Sequence, residues 1–326
     1  MRVLAGDVGG TKTLLAIYER DAAGAMREIR RARFVSRDHA SLTEVVRAFV
    51  TEDGSTLACA AFGVAGPVVD DRCTATNLPW RIDARDLVRD VGIARVRLVN
   101  DFHAVALGIG VLDPQDIVVL QDATVVERAP IAIIGAGTGL GEAVLLPSAA
   151  GPTVLATEGG HADFAARDNQ EIELFRFLRQ RHARVSYERV LSGPGIVALW
   201  EFVTSTGLAP ALESTRSRMA VEDAGAVVGS LALSGDDPAA THAIELFVSI
   251  YGAEAGNLAL KVLPYGGLYV AGGIATKLLA PMRDGAFLRS FLDKGRMRPL
   301  LERVRVAVIA NPDVGLLGAR VVAERT

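Results

Sequence analysis

Several short stretches of this chain hold residues whose types and spacing can do chemistry. "GDVGGTK" at residues 6–12 sets an acid, Asp7, inside a glycine turn. The bared backbone N–H groups of such a turn, here across Gly6, Asp7, Val8, Gly9, Gly10 and Thr11, make an anion cradle. "VNDF" at 99–102 runs an apolar strand pattern into Asn100 and Asp101, an amide that both donates and accepts beside a carboxylate that can take a proton. "EGGHADF" at 158–164 puts Glu158 and His161 on a turn tightened by Gly159 and Gly160. A second glycine turn, "GAGTGLG", offers Gly137, Thr138 and Gly139, and a third, "AGGI", offers Gly272 and Gly273.

Two familiar phosphate motifs are excluded. A dinucleotide-binding turn opens a helix, whereas residues 12–19 and 140–146 have the β-branched and aromatic character of strands. A P-loop needs Gly-Lys-Ser/Thr, and no Gly-Lys pair occurs in the chain. What remains is a glycine turn between two antiparallel strands, used twice, with Thr11 and Thr138 at the tips. Two such turns can hold a polyphosphate from both sides. Asp7 would repel phosphate unless a cation lay between, so the turn predicts magnesium, held by Asp7 directly or through water. The alternative is an ordinary hairpin in which Asp7 satisfies its own loop. Asn100 and Asp101 are equally open to two readings, a proton acceptor with its orienting amide or a helix N-cap. His161 beside acids invites zinc, but no cysteine follows it, the thiolate set is missing, and zinc is rejected. Glu158 and His161 then read as hydrogen-bonding partners for hydroxyls, with Glu188 a further acceptor. His39, His103, His182 and His242 have no constellation, and Trp80 reads as packing.

The elements that must position these residues alternate strand and helix, an α/β signature. A chain of 326 residues, half of them apolar, favours two domains with large cores. Its net charge of −3 offers no basic field for nucleic acid or an anionic membrane. Cys59 and Cys73 form no metal-type pair and read as small core residues. The strand pattern begins by residue 3 without a leader, and the uncharged run from Ala143 to Thr157 is too short to span a membrane. The expectation is a soluble, cytoplasmic protein. Ser41 and Glu44 predict a capping box opening a helix, Asp83 and Asp86 open another, and longer helices are expected over 168–182, 195–206 and 239–263. In the last, Ile244, Phe247, Val248, Tyr251 and Leu258 fall on one face. "GGLYVAGGI" and "VRVAVIA" predict strands, and "NPDVGLLGARVVAE" a closing helix.

Taken in order, "GDVGGTK", "VNDF", "GAGTGLG", "EGGHADF", "ERVLSGPG", "AGGI" and "NPDVGLLGA" resemble the bacterial glucokinase family, within the hexokinase, actin and Hsp70-like phosphotransferases, from residue 3 to about 320. The resemblance implies a two-domain, ribonuclease-H-like (actin-like ATPase) fold with a cleft between a small and a large α/β domain. The small domain would be residues 1–110 plus about 303–326, and the large one 111–302. It implies ATP-dependent phosphorylation of glucose at O6, with magnesium, by a homodimer. Residues 6–11 would form the first phosphate loop and 137–139 the second, with Gly272 and Gly273 by the adenosine. Asn100, Asp101, Glu158, His161 and Glu188 match sugar-binding positions, with Asp101 the catalytic base. Lys12 departs from the pattern, since many relatives carry asparagine there. The competing readings are a kinase for mannose, fructose or N-acetylmannosamine, and a non-catalytic sugar sensor of the same fold.

Overall fold

The apolar run after Met1 forms β1 (Arg2–Val8) and turns back antiparallel as β2 (Lys12–Arg20), with Val8 opposite Thr13. The computed structural model describes residues 1–51, 57–75 and 78–326. Next come β3 (Met26–Val35), β4 (Cys59–Val64), a small sheet of β5 (Val68–Val69), β6 (Arg72–Thr74) and β7 (Arg81–Asp83), and then β8 (Arg95–Asn100). The main sheet runs β3-β2-β1-β4-β8, with β1, β4 and β8 parallel. All residues of β4 are buried, as a parallel strand covered on both faces requires.

Alternation along β1 splits the core in two. Leu4 packs with Leu15, Phe62, Trp80 and Phe49 of α1 (Leu42–Thr51). Val3 and Ala5 face the other way, onto Leu316, Ala319 and Ala323 of the C-terminal helix (Val314–Arg325). The capping box at α1 is present: Ser41 Oγ accepts from the Glu44 N–H, and Glu44 reaches back to the Ala40 N–H. Asp83 caps α2 (Ala84–Val91). β3 was not expected; its Arg27, Arg30, Arg31 and Arg33 hide the strand pattern, yet charge of this kind suits a sheet edge, where it discourages pairing with other chains.

The second sheet has the order β12-β11-β10-β13-β14-β9, built from β9 (Ile117–Gln121), β10 (Ile131–Ala136), β11 (Leu140–Leu146), β12 (Thr153–Thr157), β13 (Leu268–Ala271) and β14 (Val306–Ile309). It repeats the first sheet's plan, an antiparallel hairpin (β10 and β11) followed by parallel neighbours (β13 and β14). Its core holds α8 (Pro238–Val262), capped by Asp237, whose side chain accepts from the Ala239 and Ala240 N–H groups. Ile244, Phe247, Val248, Tyr251 and Leu258 are buried there as the spacing predicts. No helix among the described residues is long and apolar enough to cross a membrane.

Contacts divide the chain into one unit of Met1–Pro114, Val154–Ala156 and Asn311–Thr326, and another of Gln115–Thr153 and Thr157–Ala310. The return to the first unit therefore begins at 311, not near 303, because β14 is claimed by the second sheet, and the first unit extends to 114 rather than 110.

Within the first unit, α3 (Asp101–Gly108) and the C-terminal helix pack backbone to backbone. A Cβ on Gly318 would stand 1.7 Å from the Ala104 carbonyl oxygen, so no side chain fits. Gly318→Ala should lower the denaturation midpoint by a cost of roughly 1–3 kcal/mol, the usual range for overpacking. An unchanged midpoint in a denaturant titration followed by circular dichroism would refute this close packing.

Candidate active site

The first glycine turn is closed by the Gly9 N–H donating to the Lys12 carbonyl at 2.9 Å. It is held from behind by Ser36, which is fully buried: its Oγ donates to the Gly9 carbonyl (2.8 Å) and pairs with Thr13 Oγ1 (3.0 Å), and its N–H donates to the Thr11 carbonyl (3.1 Å). Asp7 lies opposite Gly63 of β4. Burial pushes its carboxyl up from the ordinary range and the nearby Asp313 adds to this, while Lys12 pulls the other way. A Cβ on Gly315 would come 3.5 Å from the Asp7 carboxyl carbon, so the acid faces the first turn of the C-terminal helix.

One sheet edge gathers the rest of this half-site. β8 ends at Asn100, opposite Val64 of β4, so Asp7 and Asn100 sit at the carboxyl ends of strands two apart, about 10 Å by ordinary strand spacing. Asn100 caps α3: its Oδ1 accepts from the Phe102 and His103 N–H groups at 2.9 and 3.3 Å, and its Nδ2 donates to the Gly66 carbonyl at 3.2 Å. The cap reading thus holds for Asn100, and one amide hydrogen remains for a ligand. Asp101 is the first residue of α3, half-buried, with Oδ1 accepting from the Phe102 N–H at 2.9 Å. Cys73 is buried within electrostatic reach of Asp101; burial first, and then that carboxylate, push its thiol up.

The second unit brings together Glu158, His161 and Glu188. His161 Nε2 lies 3.9 Å from Glu158 Oε2, and its Nδ1 lies 4.0 Å from Glu188 Oε1. All three keep exposed side-chain surface, as a site for a hydroxylated ligand requires. Glu188 also braces the backbone, because its Oε2 accepts from the Leu140 N–H at 3.0 Å and so ties this cluster to the second glycine turn. That turn, with Ala136 opposite Leu140, is pinned further by the Gly193 N–H on the Gly137 carbonyl (2.8 Å), at the start of a helix spanning Gly193–Ser205, and by Tyr251 Oη accepting from the Ala136 N–H (2.9 Å). Gly272, at φ +92°, joins it: a Cβ there would stand 2.5 Å from the Ala136 carbonyl oxygen. Gly273 follows as the first residue of the short helix Gly273–Lys277.

The predicted residues thus form two sets, residues 6–11 with Asn100 and Asp101 in the first unit, and 137–139, Glu158, His161, Glu188, Gly272 and Gly273 in the second. Trp80 is buried with its Nε1 donating to the His39 carbonyl, so it is packing as expected. Asp313 beside Asp7 escaped the sequence reading, although it lies within "NPDVGLLGA"; an acid at the mouth of a glycine-rich helix start was the available signal. Among the described residues no group of three or more His, Cys, Asp or Glu forms a metal site.

Comparison with known proteins decides the family. The profile described as Glucokinase matches residues 4–326. The chain is 43% identical to a glucokinase of Trichormus variabilis, over 99% of each chain. The chain belongs to the glucokinase family. A glucokinase of Synechocystis is 41% identical over 99% of this chain and 98% of its own. Among solved structures, a glucokinase from an Antarctic psychrotroph is 29% identical, with a TM-score of 0.84 and coverage of 100% of this chain and 99% of its own. A glucokinase of Balamuthia mandrillaris, solved with glucose, shares the fold at 21% identity and TM-score 0.80, over 99% and 93% of the two chains. The fold is the two-domain actin-like ATPase architecture of these kinases.

The double role of Glu188 makes a test. Glu188→Ala leaves the Leu140 N–H without its acceptor, at a cost of about 1–3 kcal/mol, so its amide should exchange roughly ten- to a hundredfold faster. Glu188→Gln keeps an acceptor oxygen and should retain most of the protection. Equal exchange in wild type and Glu188→Ala would break the proposed link.

Proposed function

We propose that this chain is an enzyme that transfers the terminal phosphoryl group of ATP to O6 of glucose. The observation that carries the reading is the full-length match to glucokinases. Asp101 takes the O6 proton as that oxygen attacks the γ-phosphorus; the bond to the ADP oxygen breaks, and the proton passes from Asp101 to solvent. Its place at the carboxyl end of a parallel sheet, beside the first glycine turn, supports this role. Asn100 orients the sugar with its remaining amide hydrogen, and Glu158, His161 and Glu188 accept from or donate to the ring hydroxyls. The backbone N–H groups of the two glycine turns, with Thr11 and Thr138, hold the phosphates.

The donor set around the first turn fits a divalent cation. Asp7 is a hard oxygen ligand whose charged form burial disfavours, with Lys12 opposing this and Asp313 adding to it. A cation that arrives with ATP needs one or two carboxylates rather than a closed protein cage. Bound there, magnesium would neutralise charge on the phosphates; Asp7 would hold it directly or through water. Zinc has no thiolate set here. We also read the chain as a cytoplasmic homodimer, on the family resemblance; a sedimenting mass of twice the chain would support the dimer.

A coupled ADP-release assay over a sugar panel tests the reading. Glucose should show the highest kcat/KM, because carboxylate and imidazole groups left unpaired by a misplaced hydroxyl penalise analogues. Activity should require added magnesium, and the purified protein should contain no stoichiometric zinc. Fructose, mannose or N-acetylmannosamine coming out ahead would overturn the glucose assignment. Asp101→Asn keeps the Phe102 contact and the start of α3 but cannot take a proton. Its kcat should fall by about 10²–10⁴ with glucose binding changed far less. A variant retaining more than about a tenth of the wild-type kcat would move the base elsewhere, Glu158 being the next candidate.

A further inference from the structure

Behind the Glu158–His161 turn lies a buried acid pair that the phosphoryl transfer does not use. Glu142 on β11 is 3% exposed and Glu254 on α8 is fully buried. Their carboxyl groups are within hydrogen-bonding reach of one another, and the Oε1 atom of each is buried with no hydrogen-bond partner. Two carboxylates so placed cannot both be ionised, so a hydrogen bond between them needs one shared proton.

The surroundings say which acid holds it. Glu254 Oε2 accepts from Asn257 Nδ2 at 2.8 Å and bonds the Tyr187 hydroxyl, with Lys261 and Lys294 in electrostatic reach. Lys294 donates to Asn257 Oδ1 at 2.8 Å and to the Ala253 carbonyl, and sits among Arg167, Glu171 and Asp293. Glu142 faces Glu254, Tyr251 and, more remotely, Lys261, all from α8. Burial raises both acids, but Glu254 has Asn257, Lys261, Tyr187 and Lys294 to offset it where Glu142 has Lys261, so Glu142 is the one that holds the proton; burial and the neighbouring Glu254 push it up to about 7.

Each member of the pair touches a different part of the sugar half-site. Glu142 Oε2 packs so tightly under Gly159 that a Cβ there would stand 1.9 Å away, and its carbonyl accepts from Thr157 Oγ1, which in turn accepts from the Gly159 N–H. Glu254, directly and through Asn257, holds Tyr187, the residue before Glu188. We propose that Glu142 and Glu254 are a positioning pair whose shared proton clamps the Glu158–His161 turn to the Glu188 turn, so that loss of the proton spreads the acids and weakens sugar binding. The proposal rests on the reading of Glu158, His161 and Glu188 as the glucose contacts.

The experiment follows glucose binding by isothermal titration calorimetry from pH 6 to 8.5, and thermal unfolding of the sugar-free protein from pH 4.5 to 8.5. If only the protonated form binds, the wild-type Kd rises about tenfold between pH 6.5 and 8. Glu142→Gln, whose amide donates without titrating, should hold its Kd within about twofold, and Glu254→Gln, which removes the like charge, should flatten the profile in the same way. In unfolding, an acid whose carboxyl is raised on folding confers stability below its unfolded value that is lost as pH rises to the folded one. The wild-type melting temperature should therefore fall relative to Glu142→Gln from pH 4.5 to about 7 and then run parallel to it. A wild-type Kd that is flat with pH, or parallel profiles in wild type and both variants, would overturn the positioning role. A flat melting difference would overturn the shared proton without any appeal to sugar. Absence of glucose binding by the wild type at every pH would remove the sugar reading and the positioning role with it, an outcome the melting curves keep distinct.

Discussion

Backbone N–H groups can be aimed at a phosphate only where the turn that carries them is held by something stiffer than itself, because a free glycine turn samples too many conformations to present them together. Both glycine turns meet this demand from behind. Ser36 and Thr13, both fully buried, brace the first with hydroxyl and backbone bonds. The second is braced by Glu188, Gly193 and Tyr251, with the Gly272 backbone against it. The repeated hairpin-and-parallel-strand plan places each turn at the end of a buried strand, so the sheet core supplies the stiffness and the loops supply the amides.

The same economy governs the acids. Asp101 and Asn100 stand at the first turn of a helix, where Asn100 satisfies the exposed N–H groups and an acid is favoured by the helix dipole. Asp7 is the strained member, raised by burial and by Asp313 and drawn down by Lys12. Lys12 supplies positive charge beside the turn, and a cation arriving with a polyphosphate would add more. Glu158 and Glu188, by contrast, keep side-chain surface in contact with water.

Much of this was legible in residues 6–12, 99–102 and 135–141, because glycine turns and strand-to-helix junctions are written in consecutive residues. The competition over Asn100 and Asp101 resolved into shared work, the amide capping the helix and leaving its neighbour at the helix start. What stayed hidden depends on contacts between distant segments. Asp313 meets Asp7 from the other end of the chain, and Glu142 meets Glu254 across a sheet-to-helix interface. β3 was masked by arginines chosen for an edge rather than a core, and the boundary near 303 was misplaced because β14 pairs with β13.

The return of the C-terminal helix to the first sheet has a consequence for how the molecule is made. Residues 115–310 contain the whole of the second unit, so that unit can close on itself while synthesis is still under way. The first sheet, though made earliest, lacks Leu316, Ala319 and Ala323 against Val3 and Ala5 until residues 311–326 have appeared. One apolar face of the oldest strands must therefore wait, exposed, for the youngest part of the chain. During that interval the half-finished sheet is a natural client for chaperones that shield apolar surface.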